Sequence, residues 1–153
     1  MNISWQYLDK RNAAINALKD YSSMKAIIAN TKGEIAEMWN RMVGVGSVNV
    51  SDMPKGSHNP NSGEERILDG IEEIDVLKER YRQALEFMDW FQPAWDTLSD
   101  DERLVLEMFY LSADNNQLNA VYDICDHFHI ERSSAYKKKD RALAHLAILL
   151  YGK

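Results

Sequence analysis

The chain has 153 residues, of which 45% are hydrophobic and 27% charged, and its formal net charge is −6. This length allows one core, or one small domain with an extended arm. A lone cysteine, Cys125, excludes an internal disulfide and is typical of a reducing cytosol. The N-terminus lacks the pattern of a signal peptide, and no apolar run approaches the roughly 20 residues that span a membrane. We therefore expect a cytoplasmic protein without a membrane partner.

Glycine and proline are sparse and apolar residues recur at helical spacing, so the sequence predicts an all-α fold with long helices. Residues 1–43 are the predicted N-terminal helical segment. Within it, Thr31 and Glu34 have the spacing of a capping box, which indicates two helices that meet near Asn30. Residues 44–63 are rich in Gly, Ser, Asn and Pro, and this composition predicts a flexible linker.

Residues 64–97 carry the clearest helical pattern, a heptad stripe in alternating steps of four and three residues. A stripe of this length requires a partner helix, which either residues 1–43 or a second copy in a homodimer could supply. Pro93 is expected to end this helix or to bend it sharply. The three tryptophans Trp39, Trp90 and Trp95 are expected in the core. The stripe comprises positions 67, 71, 74, 78, 81, 85, 88, 92 and 95.

Residues 98–153 contain three short helical patterns. Ser99 and Glu102 predict a capping box at the start of the first, and Asn119 is the predicted N-cap of the second. The third is expected to begin near Arg132. The predicted inner face of this last helix consists of Ala135, Ala142, Leu146 and Leu149.

The last two patterns have the composition of a helix-turn-helix, which needs apolar residues on its first helix and a small residue where the helices cross. Cys125 fits the crossing and Ile130 fits the turn, after the apolar face of Val121, Ile124 and Phe128. Residues 131–153 also carry a net charge of +4, whereas the other 130 residues carry −10. A positive end on an acidic chain favours nucleic-acid binding in one orientation. A helical bundle with a merely solvated basic face would show the same pattern.

From Leu98 onward the chain resembles region 4 of σ70-type sigma factors. The resemblance is carried by "LSDDERLVLEMFYL" and by "VYDICDHFHIERSSAYKKKDRALAHL", which includes both helices of the motif. In layout, the whole chain is similar to phage late-gene transcription regulators of the ArpU/RinA type. Those proteins have an N-terminal helix, a polar linker, a central helix and a sigma-like helix-turn-helix.

The resemblance implies a DNA-binding domain over residues 98–153 and a transcriptional role in phage or prophage genes. Its partners would be double-stranded DNA and RNA polymerase. It places base contacts on Arg132, Ser133, Tyr136 and Lys137, and phosphate contacts on Ser134 and Arg141, with Lys138 and Lys139 assisting. Glu131 departs from the pattern, because sigma factors usually have a Thr or Ser cap there. Ser133 and Ser134 also replace longer charged side chains, so the DNA sequence recognised need not resemble a −35 element.

Two other functions stay open from the sequence. A phage DNA-packaging recognition subunit also combines a helix-turn-helix with helical oligomerisation, and it would assemble into a ring. A protein-interaction module could instead use the heptad stripe and leave the basic helix solvated. We expect no enzyme, because no phosphate loop, nucleophile elbow or HExxH motif occurs. We also expect no cofactor and no metal, since Cys125, His127 and His129 lack the spacing of a structural zinc site.

Overall fold

A computed structural model describes residues 9–44, 62–113 and 116–152, and it shows an all-α fold with long helices. The helices are α1 (Lys10–Gly44), α2 (Ser62–Thr97), α3 (Asp100–Leu106), α4 (Gln117–Phe128) and α5 (Arg132–Tyr151). A π-helical turn, Glu107–Leu111, follows α3 directly. The predicted linker, residues 44–63, lies outside the described residues except at its two ends. Within the described ranges, no helix combines the length and apolar composition that crossing a membrane requires.

The prediction of two helices that meet near Asn30 is wrong, because α1 is continuous from Lys10 to Gly44. Thr31 does not cap a helix. Its hydroxyl donates a hydrogen bond of 2.5 Å to the Ile27 carbonyl one turn earlier, and the residue is 1% exposed. A threonine inside a helix can satisfy its hydroxyl in this way. The capping pattern in the sequence therefore occurs here without a helix start.

From Ile74 onward, the inner face of α2 agrees with the predicted stripe at every second position. Ile74 and Trp95 are buried and Tyr81 and Met88 are half-buried, as the stripe predicts. The intervening predicted positions are one residue too late, so Ile71 and Leu85 are exposed, and Ile67 at the start of the stripe is exposed as well. α2 also continues through Pro93 to Thr97. The inward-facing positions are Gly70, Ile74, Leu77, Tyr81, Ala84, Met88, Phe91 and Trp95.

The chain divides into two compact units, and both long helices contribute to each of them. The hairpin unit is Lys25–Leu85. Within it α1 and α2 run antiparallel, because Glu34 pairs with Arg80 at 2.5 Å while the later Met42 lies against the earlier Gly70. A Cβ added at Gly70 would overlap the Met42 side chain, so a larger residue at this position would require Met42 to move. The partner helix of the α2 stripe in this unit therefore lies within the chain.

The second unit, called here the C-terminal unit, comprises the residues up to Met24 and those from Glu86 onward. Its main core combines α1, α2, α3 and α5. Tyr21 of α1 lies 4.7 Å from Phe91 and 5.5 Å from Trp95, measured between ring centroids, and its hydroxyl lies 3.3 Å from Gln92 Oε1. The unit thus extends beyond residues 98–153. The core residues are Ala14, Ala17, Leu18, Tyr21, Phe91, Ala94, Trp95, Leu98, Leu106, Ala142, Leu143, Leu146, Ala147 and Leu150.

Only one of the three tryptophans expected in the core is buried. Trp95 is 4% exposed, whereas Trp39 and Trp90 are 49% and 40% exposed. The indole of Trp90 lies at the edge of the C-terminal unit, 5.7 Å from the Tyr151 ring. Helical spacing alone does not distinguish a residue at the centre of the inner face from one at its border.

Candidate nucleic-acid interface

A second, smaller core joins α3, the π-helical turn, α4 and α5. Val121, Ile124 and Ala135 are fully buried in it, and the Cys125 and Ile130 side chains are half-buried against it. The apolar face predicted for α4 is therefore confirmed. So is the burial of Ala135 near the start of α5. The remaining members of this core are Val105, Phe109 and Ala120, with Met108, Tyr110 and Phe128 packed at its edge.

The capping box predicted at the start of α3 is present. Ser99 Oγ accepts a hydrogen bond of 3.2 Å from the Glu102 backbone N–H, and Glu102 Oε2 accepts one of 2.9 Å from the Ser99 N–H. The other carboxylate oxygen, Oε1, lies 2.9 Å from His145 Nδ1 on α5. Partial burial acts to raise the pKa of the Glu102 carboxyl, but the Ser99 N–H and His145 together lower it below its ordinary value. This carboxylate therefore joins α3 to α5.

The prediction of Asn119 as the N-cap of α4 is wrong, because the helix begins one turn earlier. Asn116 is the cap, and its side-chain oxygen accepts a hydrogen bond of 3.1 Å from the Leu118 N–H. Asn119 lies inside the helix on its exposed side. Two asparagines three residues apart are both good caps by composition, so sequence alone does not select between them.

Three residues connect α4 to α5. His129 adopts the left-handed conformation with φ 53° and ψ 49°, which turns the chain sharply after Phe128. The N–H of Ile130 then donates a hydrogen bond of 3.2 Å to the Cys125 carbonyl. Glu131 is the N-cap of α5, and its side chain makes no capping hydrogen bond. The first N–H groups of α5 therefore receive no capping hydrogen bond from that side chain.

Five of the eight predicted DNA-contacting residues lie on the exposed side of α5. Four of these positions share one side of the first two turns of the helix, and Arg141 follows Lys137 by one further turn. The Arg132 guanidinium lies over the Tyr122 ring of α4 at 5.1 Å, and Arg141 Nε donates to the Lys137 carbonyl at 3.4 Å. We call this surface the α5 face, and it consists of Arg132, Ser133, Tyr136, Lys137 and Arg141. Ser134 is half-buried beside it.

Lys138 and Lys139 are not on the α5 face, because their ammonium groups lie over aromatic rings. Lys138 Nζ is 4.3 Å from the centre of the Phe128 ring. Lys139 Nζ is 5.1 Å from Phe109 and 5.4 Å from Tyr136, and only 14% of its side chain is exposed. It also lies 3.8 Å from Asp140 Oδ1. Cation–π contact at these distances holds each side chain in place.

Two residues near the α5 face carry no signal in the local sequence. Arg11 of α1 pairs with Asp140 of α5 at 2.8 Å, although 129 positions separate them. Tyr122 is 52% exposed beneath the Arg132 guanidinium. Long-range pairs of this kind follow from tertiary packing, which helical periodicity does not contain. The structure thus adds a partner for Asp140 and a support for Arg132.

The three side chains that the sequence offered as zinc ligands lie on α4 and in the connection that follows it. Cys125 is half-buried, while His127 and His129 are exposed. Across residues 9–44, 62–113 and 116–152, no group of three or more His, Cys, Asp or Glu side chains could hold a metal ion.

Comparisons of the chain with protein-family models, with curated proteins and with solved structures find no match. The functional conclusion therefore depends on the residues and geometry of the interface.

Proposed function

We propose that the chain is a sequence-specific DNA-binding transcription regulator. In this proposal α4, the three-residue connection and α5 act as a helix-turn-helix, and α5 enters the major groove. The observation that carries the proposal is the α5 face, where three cationic or aromatic side chains, Arg132, Tyr136 and Lys137, project from the first two turns of one helix.

The chemistry of this face suits base edges. Arg132 and Lys137 can donate to guanine O6 and N7, and Tyr136 can pack on a thymine methyl group. Ser133 is short enough to let the helix approach the groove closely. The N–H groups at the start of α5, which Glu131 does not cap, are suited to one phosphate, and Arg141, two and a half turns further along the helix, is suited to another.

The residues that pack beneath the α5 face hold its side chains in place, which favours recognition of DNA. Ala135 is fully buried and lies between Ser134 and Tyr136, so α5 rests on the second core at the level of the contacting residues. Tyr122 positions the Arg132 guanidinium, and Lys139 lies against Tyr136. Side chains that are held before binding lose less conformational entropy on contact with DNA.

The charge distribution supports one binding orientation. Residues 1–130 carry −10 and would repel phosphates, whereas residues 131–153 carry +4. The resemblance to region 4 of sigma factors adds RNA polymerase as a proposed partner, and the layout adds a phage or prophage origin.

The test is selection of DNA from a random library by the purified full chain at two salt concentrations. We expect an enriched motif at both, with lower affinity at higher salt. Binding without a motif would reduce the α5 face to a non-specific basic patch. Absence of binding at both salt concentrations would contradict the proposal and favour a protein-interaction module.

Matched variants separate base contact from general charge. Arg132→Ala should relax the selected motif at one position, and it should weaken binding to the original site by about 1–3 kcal/mol. Lys19→Ala removes one positive charge from an exposed site on α1 and should leave the motif unchanged. If the two variants behaved alike, Arg132 would not contact a base.

A further inference from the structure

A groove of about 600 Å³ lies between α1 and α2 in the hairpin unit. Its apolar lining consists of Met38 from α1 and of Val76 and Leu77 from α2. Val76 is 67% exposed, so this lining faces solvent and not the contact between the two helices. Exposed apolar grooves with a polar rim are typical of sites where another molecule docks.

The rim of this groove is acidic. Five carboxylates and the Arg41 guanidinium line it, which gives a formal net charge of −4. We call it the acidic groove. A surface of this charge attracts cationic groups and repels phosphates, so DNA does not fit it. The carboxylates are Glu34, Glu37, Asp69, Glu72 and Glu73.

Two of these carboxylates are already paired within the hairpin unit. Glu34 lies 2.5 Å from Arg80, and Glu37 lies 3.9 Å from Arg41. The other three form no ion pair with any residue in the described ranges, and all of them belong to α2. A carboxylate that loses water without gaining a cation destabilises a complex, so a partner that covers the apolar lining has to supply positive charge along α2. These three are Asp69, Glu72 and Glu73.

The shape of the groove suits a helix. Its lining positions span 34–41 on α1 and 69–77 on α2, so it runs for about two turns of each helix, roughly 10–12 Å. A third helix can pack between two antiparallel helices by inserting side chains at positions i, i+3 or i+4, and i+7. An extended peptide would gain no backbone hydrogen bonds here, because both helix backbones are bonded internally.

We propose that the acidic groove binds a basic amphipathic helix of another protein. The apolar stripe of that helix covers Met38, Val76 and Leu77, and the lysines or arginines beside the stripe meet the three carboxylates that have no partner within the hairpin unit. The proposal does not depend on DNA binding by the α5 face, because the acidic groove and its partner are separate from that interaction.

Two exposed surfaces of the chain itself lack this combination of apolar and basic side chains. The α5 face is basic, but Tyr136 is its single side chain with a large apolar surface, so it would leave the apolar lining uncovered. The other surface is an exposed apolar group on α2, and Glu64 and Asp75 lie about one helical turn from it. In a second copy these carboxylates would face those of the groove. The apolar group consists of Ile67, Leu68 and Ile71.

Selection from a displayed library of random peptides of about 14 residues, or four helical turns, on the immobilised full chain provides the test. We expect enriched peptides to carry apolar residues at i, i+3 or i+4, and i+7, flanked by lysine or arginine. Labelled synthetic copies should bind the wild type in fluorescence anisotropy and gain helicity in circular dichroism. Their affinity should fall as salt rises.

Matched variants locate the binding site. Glu72→Gln with Glu73→Gln removes two carboxylates and should weaken binding of the selected peptides by roughly 2-fold to 30-fold. Val76→Lys places a positive charge in the apolar lining and should abolish binding, and the exposure of Val76 allows the substitution without unfolding. The control, Asp123→Asn with Asp126→Asn, removes two exposed carboxylates of α4 and should bind like wild type. Circular dichroism of each variant checks that it remains helical.

Three results would overturn the proposal. The first is that no peptide is enriched, or that every enriched peptide binds the groove variants as tightly as the wild type. The second is that the peptides sensitive to the groove variants lack lysine and arginine. The third is self-association of the wild type in sedimentation velocity that Val76→Lys abolishes, because a second copy would then occupy the groove.

Discussion

Lys137 and Lys139 are two residues apart in a basic run, yet their substitutions should affect different properties. Lys139→Ala removes three methylenes of a side chain that is 14% exposed, at about 0.8 kcal/mol for each fully buried methylene. It also removes cation–π contacts with Phe109 and Tyr136, worth about 0.5–1 kcal/mol. Because the desolvated ammonium offsets part of this gain, we expect the free energy of unfolding to fall by about 1–2 kcal/mol.

Lys137→Ala should have the opposite profile. Its side chain is exposed on the α5 face, so stability should change by less than about 0.5 kcal/mol. Loss of a base contact should weaken binding to the selected DNA site by about 1–3 kcal/mol, which is roughly 5-fold to 150-fold. Lys139→Ala should leave DNA affinity within a few-fold of wild type, as long as the protein is folded.

Stability is measured by urea denaturation, monitored by circular dichroism. DNA affinity is measured by fluorescence anisotropy with labelled DNA at several salt concentrations. Lys139→Met retains most of the aliphatic stem without the charge, so it separates methylene packing from the cation–π contribution. The reasoning would be refuted if Lys139→Ala kept wild-type stability, weakened DNA binding, and lowered the slope of log affinity against log salt concentration by about one. That outcome would place the Lys139 ammonium on a phosphate.

Three further predictions concern stability. His129→Gly relieves a left-handed conformation that costs other residues about 1–2 kcal/mol, so the midpoint of urea unfolding should rise, whereas His129→Val should lower it. Gly70→Ala should destabilise the wild type through overlap with Met42, yet in a Met42→Ala background it should stabilise by up to about 1 kcal/mol, as a double-mutant cycle in urea would show. The lowered pKa of Glu102 contributes stability above the ordinary carboxyl pKa of 4.5, and that stability is lost as pH falls through the lowered value. Glu102→Gln should therefore flatten the acid side of a plot of thermal midpoint against pH.

The sequence correctly predicted features that depend only on residues close together in the chain. The Ser99 capping box and the start of α5 at Arg132 both appear as expected. The Thr31 pattern is indistinguishable from a cap in sequence, but the hydroxyl bonds to Ile27 and α1 continues. Asn116 and Asn119 are both suitable N-caps for α4 by composition, and the structure shows that Asn116 is the cap.

The α2 stripe shows why periodicity resolves a face only approximately. Ile71 and Gly70 are neighbours, and hydrophobicity assigns the inner position to isoleucine. In the structure the Met42 side chain instead lies against Gly70, and Ile71 is exposed. A small residue that admits a partner helix gives no hydrophobic signal, so this part of the core could not be predicted from the pattern.

The candidate interface was predictable as a helix start with a cluster of charge, but not in the roles of individual lysines. Lys138 and Lys139 appear equivalent to Lys137 in the sequence. Their positions over Phe128 and Phe109 depend on how α4 and the π-helical turn pack beside α5. Such roles require tertiary contacts.

The core of the C-terminal unit joins residues that are far apart in the chain, and this affects both truncation and mutagenesis of the protein. Leu18 and Tyr21 lie more than 100 positions before the α5 face, yet they are buried in the core that holds Leu143 and Leu146 of α5. A fragment that begins at Leu98 would contain every candidate DNA-contacting residue and lack the α1 and α2 parts of this core. If the chain binds DNA as proposed, loss-of-binding alleles in a genetic screen should therefore occur in codons 14–21 as well as in codons 132–141. The former would act by unfolding the C-terminal unit and the latter by removing the proposed contacts.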